Sequence, residues 1–488
     1  MEGGSKWLVY VAGAVLVLRF ILRNVNWFLY EYKLGEKQYF LPPGDMGWPI
    51  IGNTLSFLSA FRSKNPESFM DSFYSRYGKT GIYKALMFGN PSVIVTAPET
   101  CKRVLTDDVN FISGWPRSTV ELMGEKSFIS IPFEEHKRLR RLTSASINGY
   151  EALSCYIKFI EEVVISSLEK WTTMGDIEFL THLRKLTFRV IAHIFLGEES
   201  QDVHVMENLE KEFAELNYGI RAMRINLPGF GFFKAMKARK NLLALFQPVV
   251  DKRLNERRGN FIGKKEKDMM NALIDAEDEN GRKLGADDII DILLMYLNAG
   301  HESSGHITMW TTYFLNKHPE IYKKAKAEQE EIVRTRPPTQ QGLSLAEVRK
   351  MEYLSKVIDE TLRLITFSQS AFRMAKSDIN INGYLIPKGW RAVVWFRAIH
   401  LDPEIYPNPK EFNPERWNKV HKAGEFVPFG AGSRLCPGNY LAKVEISVFL
   451  HHFLLNYELE HLNPESPQRY LPHPRPVDNC MARIKKVK

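Results

Sequence analysis

Cys436 stands in the stretch FGAGSRLCPG (429–438), and a helical pattern, NYLAKVEISVFLHHFLL, follows directly. Glycines at 430, 432 and 438 let the backbone come close and aim amide N–H groups at the sulfur. The Arg434 guanidinium and the start of a helix add positive potential, which favours a thiolate. A thiolate in this setting suits the axial position on haem iron, the ligation that pushes electron density toward O–O cleavage. The competing reading is a packed small hydrophobe in a loop. The spacing F-x-x-G-x-R-x-C-x-G, running from Phe429 to Gly438, weighs toward haem.

A second group of residues lies far upstream, in AGHESSGH (299–306). Ala299 and Gly300 leave room beside a helix backbone, while Glu302, Ser303 and Ser304 put an acid next to hydroxyls. That combination admits a diatomic ligand and relays protons to it. Read without its context, it is equally a polar kink filled by water. A third group is structural. Glu360 and Arg363, three apart in IDETLRL, face one another on a helix, and FNPERWN supplies Arg416. Exposed, such a pair is worth little; buried between two arginines the carboxylate fixes a geometry without adding net stability. Cys101, Cys155 and Cys480 form no CxxC pair and the 13 histidines form no HxxxH pair. A disulfide framework, a structural zinc site and a non-haem metal centre are thereby disfavoured, and a reducing compartment fits.

The elements that must position these residues are mostly helical. From about residue 97 to 365 the apolar spacing is that of helices, with a break at NLPGFGFF, a charged connector GKKEKD (263–268), and a capping box from Ser344 to Glu347. KTGIYKALMFGNPSVIVTA (79–97) reads as a β-hairpin, and NINGYLIPKGW (380–390) returns to strand and turn chemistry. Near the N-terminus an apolar run from Trp7 is interrupted by Arg19; its 16 helical residues would span roughly 24 Å, short of a hydrocarbon core of about 30 Å. Arg19 and Arg23 can snorkel, Trp7, Trp27 and Tyr30 suit the interface, and the arginines and lysines that follow leave the rest of the chain in the cytosol. LPPGDMGWPIIGN (41–53) is a stiff hinge between this anchor and the body. The expected organisation is an anchor and linker over 1–40 and one catalytic unit over 41–488. The net charge of +9 is spread along the chain, which fits an anionic membrane surface or an acidic partner protein and not nucleic acid.

Taken in order, the proline hinge, the AGxE segment, the ExxR pair, the PxR arginine and the Cys loop resemble the cytochrome P-450 superfamily of haem-thiolate monooxygenases over nearly the whole chain. The resemblance implies a mainly α fold with minor β, a triangular helical body with small sheets, on a single N-terminal anchor. It implies haem b between the AGHESS helix and the helix after Cys436, with Cys436 as the iron's axial ligand and Phe429 opening the ligand loop. It assigns oxygen activation to Glu302 and Ser303, and a structural triad to Glu360, Arg363 and Arg416. Arg140, Arg373 and Arg434 match positions that pair with the haem propionates. His136 stands where the family usually has Trp and can still donate a ring N–H; Ser303 stands where Thr is usual.

Closer still, MFGNPSVIVT, VLTDDVNF, LNYGIRAMRINLPGF, AGHESSGHITMW and PFGAGSRLCPGN resemble the plant ent-kaurenoic acid oxidases. That resemblance implies three oxidations of a diterpenoid acid. Carbon seven of ent-kaurenoic acid is hydroxylated, the B ring contracts to expel that carbon as an aldehyde, and the aldehyde becomes the acid of gibberellin A(12). Each step would use O2 and two electrons of NADPH, delivered by a membrane-bound NADPH–cytochrome reductase. The expected location is the endoplasmic reticulum membrane, with the plastid outer envelope as a second candidate. Ala299, Gly300, Gln369, Ser370, Arg117 and Arg221 are the expected pocket residues, with Arg224 beside them; each arginine also reads as a solvated surface cation. FSQSAFR (367–373) makes the wall over the haem more polar than in the relatives. The rival readings are a sibling oxidase acting on a triterpene and, of a different class, a haem-thiolate isomerase or lyase needing no O2.

Overall fold

The computed structural model describes residues 2–220, 222–258, 268–471 and 473–487; Arg221 and most of the GKKEKD connector fall outside them. The N-terminal helix, Glu2–Asn26, has 25 residues and continues through Arg19 and Arg23. Arginine is a good helix former, so the end of the apolar run is not the end of the helix. At about 38 Å it exceeds a hydrocarbon core, which corrects the shorter span expected from the sequence. The helical stretch Tyr10–Phe40 is by length and composition long and apolar enough to cross a membrane.

The proline-rich segment after it is clamped to the body. Gly44 bridges to Lys84 so closely that a Cβ would lie 2.1 Å from the Lys84 carbonyl oxygen. Asn53 accepts from the Leu86 amide at 3.0 Å, and Asn26 Nδ2 donates to the Gly47 carbonyl at 2.6 Å. The helix therefore leaves the body from a fixed point.

A five-stranded sheet forms one end of the body. Strands Ile82–Met87 and Asn90–Val95 make the hairpin anticipated from the sequence; Asn90–Val95 pairs in parallel with Arg391–Trp395, then follow Ser370–Ala375 and Phe111–Ser113, both antiparallel to their neighbours. The Asn382-Gly383 turn joins Ile379–Ile381 to Tyr384–Ile386, with positive φ at both residues. The Ser344–Glu347 capping box forms as expected.

The remainder is helical and built around one 32-residue helix, Ala286–Lys317. AGHESSGH does not break it. A Cβ on Gly305 would come 3.3 Å from backbone of helix Phe179–Leu196, and one on Gly300 3.2 Å from Ile191. The small residues thus let these two helices approach closely, which is how the central helix keeps both helical hydrogen bonding and packing. Helix Asn439–Asn456, directly after the Cys loop, and helix Glu352–Ile365 also pack against it.

Candidate haem and oxygen-activation site

The central helix, the Cys loop and the strand Ser370–Ala375 enclose a cavity of about 370 Å³. Cys436 lines it from one side; Ala299, Gly300, Ser303 and Ser304 line it from the other. The loop reverses through Gly430 and Gly432, with φ of 76° and 73°, and is closed by the Cys436 amide donating to the Phe429 carbonyl at 2.9 Å. The two glycines serve the turn. The amide that acts on the sulfur is that of Gly438, which caps the following helix. Burial pushes the Cys436 thiol up, against the lowering by the Gly438 amide and Arg140. The surroundings alone do not ionise this cysteine, contrary to what the glycines and helix start suggest from sequence; a coordinated metal deprotonates such a thiol outright.

Whether haem fits is decided by the cations. His136, Arg140, Arg373 and Arg434 all border the cavity. Among the described residues none of the three arginines makes an ion pair with a carboxylate. Arg434 donates to the Phe128 carbonyl at 2.9 Å and the Ile131 carbonyl at 3.3 Å, and Arg373 to the Leu105 carbonyl at 3.4 Å. Burial, then repulsion from Arg434, pushes Arg373 down to about 10; burial and all three arginines push His136 down to about 3. His136 is 3% exposed and its Nδ1 has no partner. Three arginines without a carboxylate partner, Arg373 buried and Arg140 and Arg434 half-buried, beside an orphaned ring nitrogen favour an anion there. The two propionates of haem would supply that charge and the Cys436 sulfur would hold its iron, so the residues fit the group. Arg434→Gln is expected to lose charge-assisted hydrogen bonds worth about 1.5–3 kcal/mol. Haem loss to an acceptor apoprotein should accelerate by roughly 10–100-fold.

The remaining expected site residues divide sharply. Phe429, Ser303 and Ser370 face the cavity. Glu302 does not line it: its carboxylate pairs with Arg184 at 2.8 Å, with His473 Nε2 at 3.8 Å. Gln369 also turns away, donating to the Thr366 carbonyl at 3.2 Å; Ser368 and Ser370 on either side of it border the cavity. Arg117 is 82% exposed and reaches Glu121 at 3.4 Å, and Arg224 chelates the same carboxylate. Both therefore sit outside the cavity, correcting the expectation for Arg117, while Arg221 lies outside the described residues. Trp115, Phe128, Met295 and Phe367 supply apolar wall that the sequence reading did not identify. Glu360 is wholly buried between Arg363, at 2.8 Å, and Arg416, at 3.2 Å.

The cytochrome P450 family profile matches residues 42–479. The chain belongs to the cytochrome P450 family and is a haem-thiolate monooxygenase. It is similar to two Arabidopsis thaliana proteins. Ent-kaurenoic acid oxidase 1 is 60% identical over 480 residues and ent-kaurenoic acid oxidase 2 is 62% identical over 479, each covering 98% of this chain and 97% of the relative. Among solved structures, the retinoic acid-bound cyanobacterial CYP120A1 superposes with a TM-score of 0.81 at 28% identity, over 92% of this chain and 99% of that one.

Proposed function

We propose that the enzyme oxidises ent-kaurenoic acid in three successive steps, hydroxylation at carbon seven, ring contraction to the aldehyde and oxidation to the gibberellin A(12) acid. Electrons come from NADPH through a membrane-bound cytochrome reductase. The observation that carries this reading is the 60–62% identity to ent-kaurenoic acid oxidases over 98% of the chain. The N-terminal helix supports an anchored enzyme, placed in the endoplasmic reticulum membrane with its body in the cytosol. The +9 charge supports an acidic flavodoxin-like partner.

Bound haem supplies the reduction of O2 and the oxidation of an unactivated C–H bond. The chain's own residues decide where that happens. Trp115, Phe128, Met295 and Phe367 exclude water and hold the hydrocarbon. Ser303 Oγ donates to the Ala299 carbonyl at 3.2 Å while facing the cavity, so it holds a proton beside the place where oxygen reacts. Ser368 and Ser370 offer hydroxyls to the substrate's carboxylate, which would otherwise be buried without a partner. Ring contraction requires attack at the carbon next to the one first oxidised, so a small change of pose separates the steps.

Microsomes containing this protein and a reductase, given NADPH and ent-kaurenoic acid, are expected to yield the aldehyde and then the acid of gibberellin A(12). No product alongside a normal carbon-monoxide spectrum would sink the substrate assignment and favour a triterpene instead. Product stopping at the seven-hydroxy acid would refute the three-step sequence.

A further inference from the structure

His473 lies in the loop between the paired strands Gln468–Arg469 and Arg475–Pro476, and one face of the central helix holds that loop. Glu302, His306 and Trp310 recur every four residues along the helix, so they share a side. The Glu302 carboxylate, bound to Arg184, lies 3.8 Å from His473 Nε2. The His306 ring meets the His473 ring edge-on, 5.7 Å between centroids. Trp310 Nε1 donates to the Pro474 carbonyl at 2.8 Å. His306 is itself fixed: its Nδ1 donates to the Glu302 carbonyl at 2.7 Å, and burial pushes its ring down to about 4, so it packs as a neutral group.

From this anchorage His473 reaches one residue of the cavity wall. Its ring stacks on Phe367, with centroids 3.8 Å apart and planes 14° from parallel, and its Nδ1 donates to the Phe367 carbonyl at 3.1 Å. His306 packs on the same phenyl ring at 5.3 Å. Phe367 borders the haem cavity, whereas His306 and His473 do not. It lies between the end of helix Glu352–Ile365 and the start of strand Ser370–Ala375, where neither helix nor ladder fixes it. Its backbone and its ring are instead both held from behind, by a residue outside the cavity.

We infer that His473 is a positioning residue for the regiochemistry of oxidation, acting through Phe367 by tying that wall to the helix that carries the oxygen side of the cavity. Phe367 and the Ala299–Ser304 stripe then hold a fixed spacing across the substrate. For the reaction it sorts, the inference rests on the kaurenoic acid reading; for the residue it assigns, it rests on the wall alone. The second oxidation attacks a carbon beside the first, and a wall free to shift by about 1 Å loses that selection. No bond is made or broken at His473.

The test is a cycle of variants on the full-length, haem-loaded protein, read as the ratio of ring-contracted products to released seven-hydroxy acid. His473→Ala is expected to lower that ratio by about two- to tenfold, the range an aromatic pair contributes. His473→Phe keeps the stacked ring and should recover most of it. Adding His473→Ala to Phe367→Ala should lower the ratio no further, because a residue that acts through its neighbour has nothing left to act on. A merely structural loss would reduce all products together and leave the ratio as it was. An unchanged ratio in His473→Ala, or effects that add in full, would overturn the assignment. If the parent enzyme makes no product from ent-kaurenoic acid, the substrate reading fails and the wall is still tested. The same cycle is then read in the affinity of the ferric haem for N-phenylimidazole relative to imidazole, with the same loss expected and the same outcomes overturning it. A normal carbon-monoxide spectrum certifies each fold. Should His473→Ala fail it, His473→Asn, which keeps a donor for the Phe367 carbonyl but not the ring, takes its place.

Discussion

Cys436→Ser is expected to abolish turnover while leaving the helical body in place. The loop around residue 436 is shaped by backbone: glycines at φ of 76° and 73° and the Cys436 amide bonded to Phe429. None of that depends on the sulfur, and serine fits the same space. The ligand does depend on it, because a hydroxyl is a far weaker donor to iron than a thiolate and does not push electron density in the same way. A fall of at least about 10³-fold in kcat/KM is expected, about 4 kcal/mol of lost transition-state stabilisation. The reduced carbon-monoxide complex should lose its thiolate-type absorption while circular dichroism keeps its helical signal. A thiolate-type spectrum in the variant would mean that Cys436 is not the ligand.

The Cys loop was legible in the sequence because its constraint is local: the turn, the glycines and the helix start are consecutive residues. The distal side was only half legible, and the reason is geometric. Ala299, Gly300, Ser303, Ser304 and Ile307 line the cavity, a stripe at the spacing of one helical face. Glu302 falls off that stripe, since adjacent residues on a helix are turned by about 100°. Adjacency in AGHESS sets the acid beside the hydroxyl, whereas helical period takes Glu302 off the cavity face, and the packing of the neighbouring helix then sets it against Arg184. The same holds for FSQSAFR, where alternation along an extended chain separates Gln369 from Ser368 and Ser370. Arg224 is settled by tertiary structure, through Glu121, the carboxylate that Arg117 reaches along its own helix.

Glu360→Ala is expected to damage the protein in the opposite way from Cys436→Ser, through the fold first and the haem second. Glu360 and Arg363 are both 0% exposed. Arg363 gives Glu360 two bonds, at 2.9 and 2.8 Å, and spends its remaining donors on the carbonyls of His400, Pro409 and Glu411. Glu360 also accepts from Arg416 at 3.2 Å, the Trp417 indole at 3.2 Å and the Asn413 amide at 3.0 Å. Removing the carboxylate strands a buried guanidinium, a loss of about 3–5 kcal/mol against a total stability of roughly 5–15 kcal/mol. Arg363→Lys should fare little better, because one ammonium cannot serve a fork of four partners. The damage reaches the site through His400. Its backbone carbonyl holds Arg363, while its ring lies 3.0 Å from Thr366 Oγ1 and accepts from the Val427 amide at 3.1 Å. Burial pushes that ring down to about 3, so it remains neutral and able to accept. Thr366 leads into the wall at 367–373 and Val427 into the Cys loop, so one network holds both sides of the haem cavity. Glu360→Ala is therefore expected to lower Tm by at least about 5 °C and to reduce haem occupancy in parallel. Unaltered Tm and occupancy would show that the buried triad is dispensable to this fold.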